Sequence, residues 1–353
     1  MKTETGYQQG MWLRAGLCLR AGMISGLMLM VSTLLLATTS QAAEKRTLCV
    51  FDPLGAYGDT YGLLKEYAKL VKPQGVDFEL KPYTDEAIAA NDFLGSACDA
   101  AVLTGTRARN FNKFTGTIEA IGALPEYSHV KALLKFLSND KLSKYMKNDR
   151  YEIAGIYPVG AVYLFVNDRS IDTASELAGK RLATMSFDDA ANTMVKHVGA
   201  APVSADITTF AGKFNNGSVD VCYAPSLAYN AFELYKGLNP GGGVIRFPLA
   251  QMNAQIILKN ERFPEGFGLA SRKIVREQAA KAFTLIEQQD QSIDNKWWVD
   301  IPPDDKEQYM EMFRGVRIQL ANNDTYHPSM LKLMKKIRCA EDASHSECTR
   351  DGE

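Results

Sequence analysis

The chain has 353 residues, of which 46% are hydrophobic, with 40 lysines and arginines against 41 aspartates and glutamates. This balance gives no electrostatic case for binding nucleic acid or an anionic membrane surface. The length suits two α/β domains of ordinary size with a substantial core.

The first 42 residues have the order of an export signal. Arg14 and Arg20 precede an apolar stretch at 21–37, and small residues follow at Ser40-Gln-Ala42. We predict cleavage directly after this tripeptide, so that 1–42 is a cleavable signal peptide. The apolar stretch is shorter than the ~20 residues that span hydrocarbon, which disfavours the alternative of an uncleaved membrane anchor.

The first part of the mature chain alternates strands and helices. The predicted elements are a strand at 47–51, a helix at 60–72, a strand at 76–81, a helix at 85–94 capped by Thr84, and a strand at 100–103. This order predicts parallel pairing with right-handed crossovers. Residues 130–146 are predicted to be helical.

A second alternating run begins at residue 161. It begins with a strand at 161–167 and the sequence Thr173-Ala-Ser-Glu176, which is typical of a capping box at the start of a helix. A strand at 180–185 and a helix at 188–198 follow. An amphipathic stretch with Ile207, Phe210 and Phe214 then leads to a strand at 219–223. Helices are predicted at 271–291, 303–321 and 328–337, the first long enough to brace two lobes.

Three motifs of the second run carry a resemblance to a known family. They are Leu177-x-Gly179-x-x-Leu182, Gly199-Ala-x-Pro202 and Phe214-Asn-Asn-Gly217-x-Val219-Asp220. Their order resembles the substrate-binding subunits of TRAP transporters, which import small organic solutes. Within these, the chain is most similar to a divergent branch of solute-binding proteins whose members are sometimes labelled as drug-efflux components.

The resemblance implies a two-lobed α/β periplasmic binding protein, type II-like, in which each lobe is a mostly parallel sheet flanked by helices. Lobe one would comprise 43–157 plus 250–337, with the long bracing helix, and lobe two 158–249. Segments 157–167 and 241–258 would cross between the lobes and form a hinge. A periplasmic monomer that works with membrane transporter subunits is the implied assembly.

The chain departs from the family pattern at one functional position. The TRAP pattern Leu-x-Gly-x-Lys-x-Arg ends in an arginine that grips the substrate carboxylate. Here Arg181 fills the lysine position and Ala183 fills the arginine position. Arg181 lies about 7 Å further back along the strand, too far for a simple replacement. The resemblance therefore does not imply an organic-acid ligand.

Five cysteines follow the signal. Cys339 and Cys348 bracket a short polar hairpin in the tail 338–353, which a disulfide would fix in an oxidising compartment. Cys49 and Cys98 begin two apolar runs predicted to be neighbouring strands, so the pattern leaves open a second disulfide between them, with Cys222 as a buried spare. No CxxC, HExxH or close Cys/His cluster indicates a metal site.

Candidate ligand-binding residues follow from a rule for open parallel sheets, in which ligands bind beyond the carboxyl ends of strands. In lobe one the rule selects the loop 52–60, with Asp52 and Asp59, and the loop 104–109. In the latter, Arg107 and Arg109 could hold an anion bidentately. The alternatives are an ordinary strand-to-helix turn with Asp59 as N-cap, and two solvated arginines.

In lobe two the same rule selects residues 184–189 and 224–229. The candidates are Tyr163, Thr184, Ser186 and Tyr229, together with the amides of Asn253 and Gln255 near the return segment. The alternatives are core packing for the tyrosines, helix capping for Ser186 and hinge hydrogen bonds for the amides.

The sequence predicts an exported receptor that captures a small solute in an inter-lobe cleft and delivers it to a membrane transporter. An enzyme is disfavoured because the four histidines have no neighbouring nucleophile pattern, and no Gly-x-Ser-x-Gly or P-loop occurs. No cofactor is indicated. The alternative is an accessory component of drug efflux or envelope stress response, not itself a pump, since a pump needs many membrane spans.

Overall fold

A computed structural model describes residues 42–353. The predicted signal peptide lies outside the described residues, apart from its last position. Within 42–353, none of the helices combines the length and the apolar character that crossing a bilayer requires.

The strands of this part of the chain join in a single mixed sheet of ten strands. They are β1 (Glu44–Phe51), β2 (Val76–Tyr83), β3 (Ala100–Thr104), β4 (Tyr151–Val166), β5 (Arg181–Met185), β6 (Ala201–Ala205), β7 (Val221–Pro225), β8 (Gly243–Ile245), β9 (Ala250–Lys259) and β10 (Trp298–Val299). The order is β2-β1-β3-β9-β4-β7-β5-β6, with β8 attached to β4 and β10 to β8.

The sheet has two parallel wings. In the first wing, β1 pairs in parallel with β2 and β3, which confirms the pairing expected from the strand-helix order. In the second wing, β5 pairs in parallel with β6 and β7. Strands β4 and β9 run antiparallel to each other between the wings. The two-lobed α/β class is thereby confirmed, whereas the lobe boundaries at 157/158 and 249/250 stay a prediction.

Helices cover both faces of the sheet. They are α1 (Asp59–Val71), α2 (Glu86–Leu94), α3 (Gly105–Ala108), α4 (Lys113–Gly116), α5 (Tyr127–Leu137), α6 (Asp189–His197), α7 (Phe210–Asn215), α8 (Leu227–Ala231), α9 (Tyr235–Leu238), α10 (Phe267–Gln291), α11 (Pro303–Asn322) and α12 (Pro328–Glu341). The long helix α10 is present as predicted and begins four residues earlier.

Three local predictions are wrong. Asp85, not Thr84, caps α2, because its carboxylate accepts from the N–H groups of Ala87 and Ile88. The predicted helix at 130–146 stops at Leu137 and continues as a 3-10 turn at Asp140–Tyr145. The edge strand β6 is missing from the prediction because four of its five residues are not buried, so it carries no apolar run.

Apolar side chains fill the space between sheet and helices. Leu48 and Val50 of β1 pack with Leu64 of α1 and Val275 of α10 on one face of the first wing. In the second wing, Phe210 and Phe214 of α7 pack on Phe165 of β4. A further cluster connects the opposite faces of both wings with α5, α11 and α12.

Both cysteine pairings considered from the sequence are present. Cys339 and Cys348 are bonded, with their Cα atoms 5.7 Å apart, and Cys49 is bonded to Cys98 with 5.8 Å between Cα atoms. Cys222 is buried and is the free cysteine of the described residues. The first bridge closes the turn after α12, and the second ties β1 to the start of β3.

A buried charge cluster holds the tail against α11 and α12. Arg338 of α12 donates two hydrogen bonds of 2.7 Å to the carboxylate of Glu347, and a third of 2.6 Å to the carbonyl of Ala123. Arg317 of α11 donates to Glu353 at 3.1 Å and to the carbonyl of Ile121 at 2.9 Å. These bonds fix both helices against the segment that leads into α5.

Glu347→Ala should lower the free energy of unfolding by about 3 kcal/mol, because it leaves the guanidinium of Arg338 buried without its bidentate partner. Urea denaturation of the mature protein measures this. Glu233→Ala is the matched control, since Glu233 pairs with Lys236 on the surface and its loss should not shift the midpoint measurably. Equal midpoints for the two variants would contradict the prediction.

Candidate ligand-binding site

A cavity of about 280 Å³ lies between the two wings, at the carboxyl ends of their parallel strands. Phe51 and Leu103 line it from β1 and β3, and Met185, Asp206 and Ala224 line it from the ends of β5, β6 and β7. The strand rule applied to the sequence therefore selected loops that the fold brings together.

We call it the larger cavity, to distinguish it from a smaller one described below. Three of the predicted residues line it, namely Arg107, Ser186 and Asn253. Arg107, on α3, places Nε 3.1 Å from Oε2 of Glu86. Its guanidinium carbon lies 3.8 Å from the ring centre of Phe187 in the second wing. The arginine thus contacts both wings, and its charge is balanced by Glu86. Ser186 does not cap α6; Asp188 does, accepting from the N–H of Ala190 and Ala191.

Asn253 lines the larger cavity and carries a buried amide donor without a partner in the described part of the chain. The residue is 3% exposed, and its Oδ1 accepts a 2.8 Å hydrogen bond from Gln255 Nε2. Its Nδ2 has no hydrogen-bond acceptor within residues 42–353. Gln255 is fully buried and also donates to the carbonyl of Thr115 at 3.0 Å, so it supports Asn253 without lining the cavity.

Arg109 lines a second cavity of about 130 Å³, which lies between the second wing and α11. Arg109 Nη1 is 3.7 Å from Oδ1 of Asp188, and its Nε donates to the carbonyl of Gly116 at 3.3 Å. This ion pair joins the first wing to the second. The residues that line both cavities are Thr106, Asp188, Tyr223 and Met252.

Asp52 and Asp59 lie apart from both cavities. The carboxylate of Asp52 accepts from the N–H groups of Leu54 at 2.9 Å and Tyr61 at 3.1 Å, and so stabilises the start of α1. Burial raises the pKa of Asp52. Asp59 is the first residue of α1, not its N-cap, and accepts from Gln289 of α10 at 2.8 Å. Both line a separate depression between α1, α8 and α10.

Tyr163, Thr184 and Tyr229 belong to the interior of the second wing and line neither cavity. Tyr163 packs edge-on against Trp298 at 5.0 Å, and Tyr229 against Tyr235 at 5.7 Å, between ring centres. The Thr184 hydroxyl donates to the carbonyl of Leu182 at 3.1 Å. On β4, side chains alternate between faces, so Tyr163 points into the core while its neighbours 162 and 164 line the smaller cavity.

The position of the family arginine is also away from the cavities. Ala183 is 2% exposed and packs in the apolar core of the second wing. Arg181, at the start of β5, donates to both carboxylate oxygens of Asp220 at 2.7 and 3.1 Å. This pairing with Asp220 holds Arg181 away from the cavities, so it does not replace the family arginine, whose position Ala183 fills, as the strand spacing indicated.

Glu119 is a residue of this region that the sequence did not indicate. Its carboxylate accepts from the N–H groups of Gly105, Thr106 and Asn253 and from the Thr106 hydroxyl, at 2.6 to 3.0 Å. Burial raises its pKa to about 7, against those hydrogen bonds and the charge of Arg109, which lower it. Glu119 lies between short helices, where no periodicity distinguishes a buried acid.

Glu119 should make stability depend on pH. Its raised pKa means that the folded protein keeps a proton that the unfolded chain has released, so the free energy of unfolding should fall by up to about 3 kcal/mol as pH rises from 4.5 to about 7. In Glu119→Gln this part of the slope should vanish, as measured by urea denaturation across that range. The control variant Glu79→Gln, at an exposed residue, should keep this slope. Parallel curves of unfolding free energy against pH for wild type and Glu119→Gln would refute the assignment.

The family model for solute-binding protein AdeT 1/2 matches residues 68–353. The chain belongs to this family of solute-binding proteins. A relative described as probable solute-binding protein AdeT1, from Acinetobacter baumannii, is 43% identical over 304 residues, covering 86% of this chain and all of the relative. The predicted membership of the solute-binding branch is confirmed, and with it the role of a protein that captures a small solute.

Solved structures agree with this fold. One is a TRAP periplasmic solute-binding protein from Desulfovibrio salexigens with bound orotic acid, which matches with a TM-score of 0.65 at 15% identity. The match covers 84% of this chain and 99% of that protein's chain. One from Ralstonia eutropha with bound (S)-2-acetolactate has a TM-score of 0.68 at 12% identity and the same coverages. The likeness supports the TRAP-type fold expected from the motifs.

Proposed function

We propose that this protein is a periplasmic receptor that captures a small solute in the larger cavity and delivers it to membrane transporter subunits. The observation that carries the proposal is the position of this cavity, where loops from the carboxyl ends of both wings meet around Arg107 and Phe187. The protein acts as a monomer and by binding, not by catalysis.

Capture requires the wings to separate and close, and β4 and β9 are the strands that pass between them. Their pairing is irregular between Pro158 and Gly160. Pro158 lacks an N–H to donate to the ladder, and Gly160 has a φ of +133°, which favours glycine. We place the hinge at this irregularity, because fewer ladder hydrogen bonds resist bending there.

The charges of the cavity indicate how the solute is held. The two structural neighbours bind organic acids, and a carboxylate would need a free cation. Here Arg107 is paired with Glu86 and Arg109 with Asp188. A solute carboxylate beside either arginine would have to compete with these acids for its charge. The solute is instead recognised by the free amide donor of Asn253 and by contact with the Arg107–Phe187 stack.

Native mass spectrometry of protein purified without denaturation tests capture directly, because a receptor of this kind retains its solute. The released solute, identified by its mass, is then titrated back by calorimetry. Arg107→Ala and Asn253→Ala should each weaken its binding at least tenfold while both variants remain folded at the temperature of the titration. The control is Arg181→Ala, which removes an arginine far from both cavities.

Unchanged affinity in both cavity variants would remove the larger cavity from the binding site. Loss of affinity in Arg181→Ala alone would place the site elsewhere on the second wing.

Export should remove the first 42 residues. Intact mass analysis of the protein recovered from the periplasm should give a chain that begins at Ala43, because the small residues Ser40 and Ala42 suit the signal peptidase. A replacement of Ala42 by a bulky residue, Ala42→Phe, should leave the precursor uncut. A periplasmic protein that still carries residues 1–42 would contradict this prediction.

A further inference from the structure

The smaller cavity has walls of apolar side chains. Val162 and Leu164 line it from β4, Met194 from α6, and Tyr309 and Phe313 from α11. These residues come from three elements that no short-range motif connects. Alternation along β4 directs Val162 and Leu164 here, away from the core that holds Tyr163.

The charged groups of this cavity are paired within the protein. Arg109 pairs with Asp188, whose Oδ1 also accepts from the start of α6, and Glu119 accepts four hydrogen bonds. A buried water needs two to four polar partners, and most of this cavity's lining is apolar, so few places in it can hold one. An apolar occupant suits this lining, because filling an empty apolar space restores the contacts that its walls lack.

The smaller cavity adjoins the larger one. Thr106, Asp188, Tyr223 and Met252 line both, so these four side chains form the partition. A molecule held in the larger cavity therefore needs to pass only this partition to reach the apolar walls. Met252 is the flexible member, since an unbranched thioether adapts its shape easily.

We propose that the smaller cavity is an apolar subsite that takes a ring or short alkyl chain of the solute, while the polar part of the solute stays in the larger cavity. This rests on the proposed function. Its volume of about 130 Å³ compares with an apolar cavity of roughly 150 Å³ that binds benzene. The solute is thus an amphiphilic organic molecule with one apolar group about the size of benzene.

Benzene itself is the probe for the subsite. The mature protein is labelled with ¹³C at the methionine methyl groups, and the signals are assigned by single substitutions. Benzene should shift the methyl signal of Met194 in a saturable way and leave that of Met185, which lines only the larger cavity, unchanged. No saturable shift of Met194, or a shift of Met185 alone, would overturn the proposal.

A matched pair of variants separates the two cavities. Ala191→Phe fills the smaller cavity from α6, and should weaken benzene binding at least tenfold. Ala87→Phe makes the same change at a residue lining the larger cavity, and should leave benzene binding unchanged. Thermal unfolding checks that both are folded; if Ala191→Phe fails to fold, Ala191→Leu takes its place. Benzene affinity that both variants keep would refute the assignment.

The released solute decides what the subsite is for. A solute with an apolar ring or chain, whose affinity falls at least tenfold in Ala191→Phe, supports the inference. A solute that lacks any apolar group, or whose affinity Ala191→Phe leaves unchanged, overturns the inference and leaves the proposed receptor intact. Loss of solute binding in Arg107→Ala but not in Ala191→Phe would likewise overturn the inference and leave the proposed receptor intact.

Discussion

The antiparallel pairing of β4 with β9 is the constraint on which the rest of the structure depends. These strands bind both wings into one sheet, and each wing is parallel, so its strands end at a common edge. The connectivity turns these edges towards each other across the central strands. A cavity between the wings is the consequence, and the side chains that line it come from loops far apart in the chain.

Much of the fold could be predicted because its signals are local. Apolar runs located β1, β3 and β7 within a few residues, and helical periodicity located α10. The edge strand β6 could not be found, since an exposed strand has no apolar run. The caps of α2 and α6 were misassigned because several short polar residues stand together there, and only backbone geometry decides which one accepts the N–H groups.

The site was harder to predict than the fold, for a physical reason. The strand rule identifies loops, and Arg107 and Ser186 were found through it, whereas Asn253 was selected as an amide near the return segment. It does not say which way a side chain points, so Thr184 was included although it faces the core. Tyr163, proposed as an aromatic wall, faces the core as well. Partners such as Glu86 and Glu119 are brought in by tertiary contacts alone, and no spacing in the sequence connects them with the arginines.

These pairings also decide what kind of solute the cavities favour. An arginine whose charge is balanced by a nearby carboxylate attracts a second carboxylate less strongly, and burying one more anion beside it carries a desolvation cost of several kcal/mol. Apolar surface carries no such cost and contributes about 25 cal/mol for each Å² removed from water. In this chain Ala183 stands at the family arginine position and Arg109 is paired with Asp188, so the solute that we propose would gain much of its affinity from shape and apolar burial. On this proposal, selection among solutes depends on the size of their apolar group.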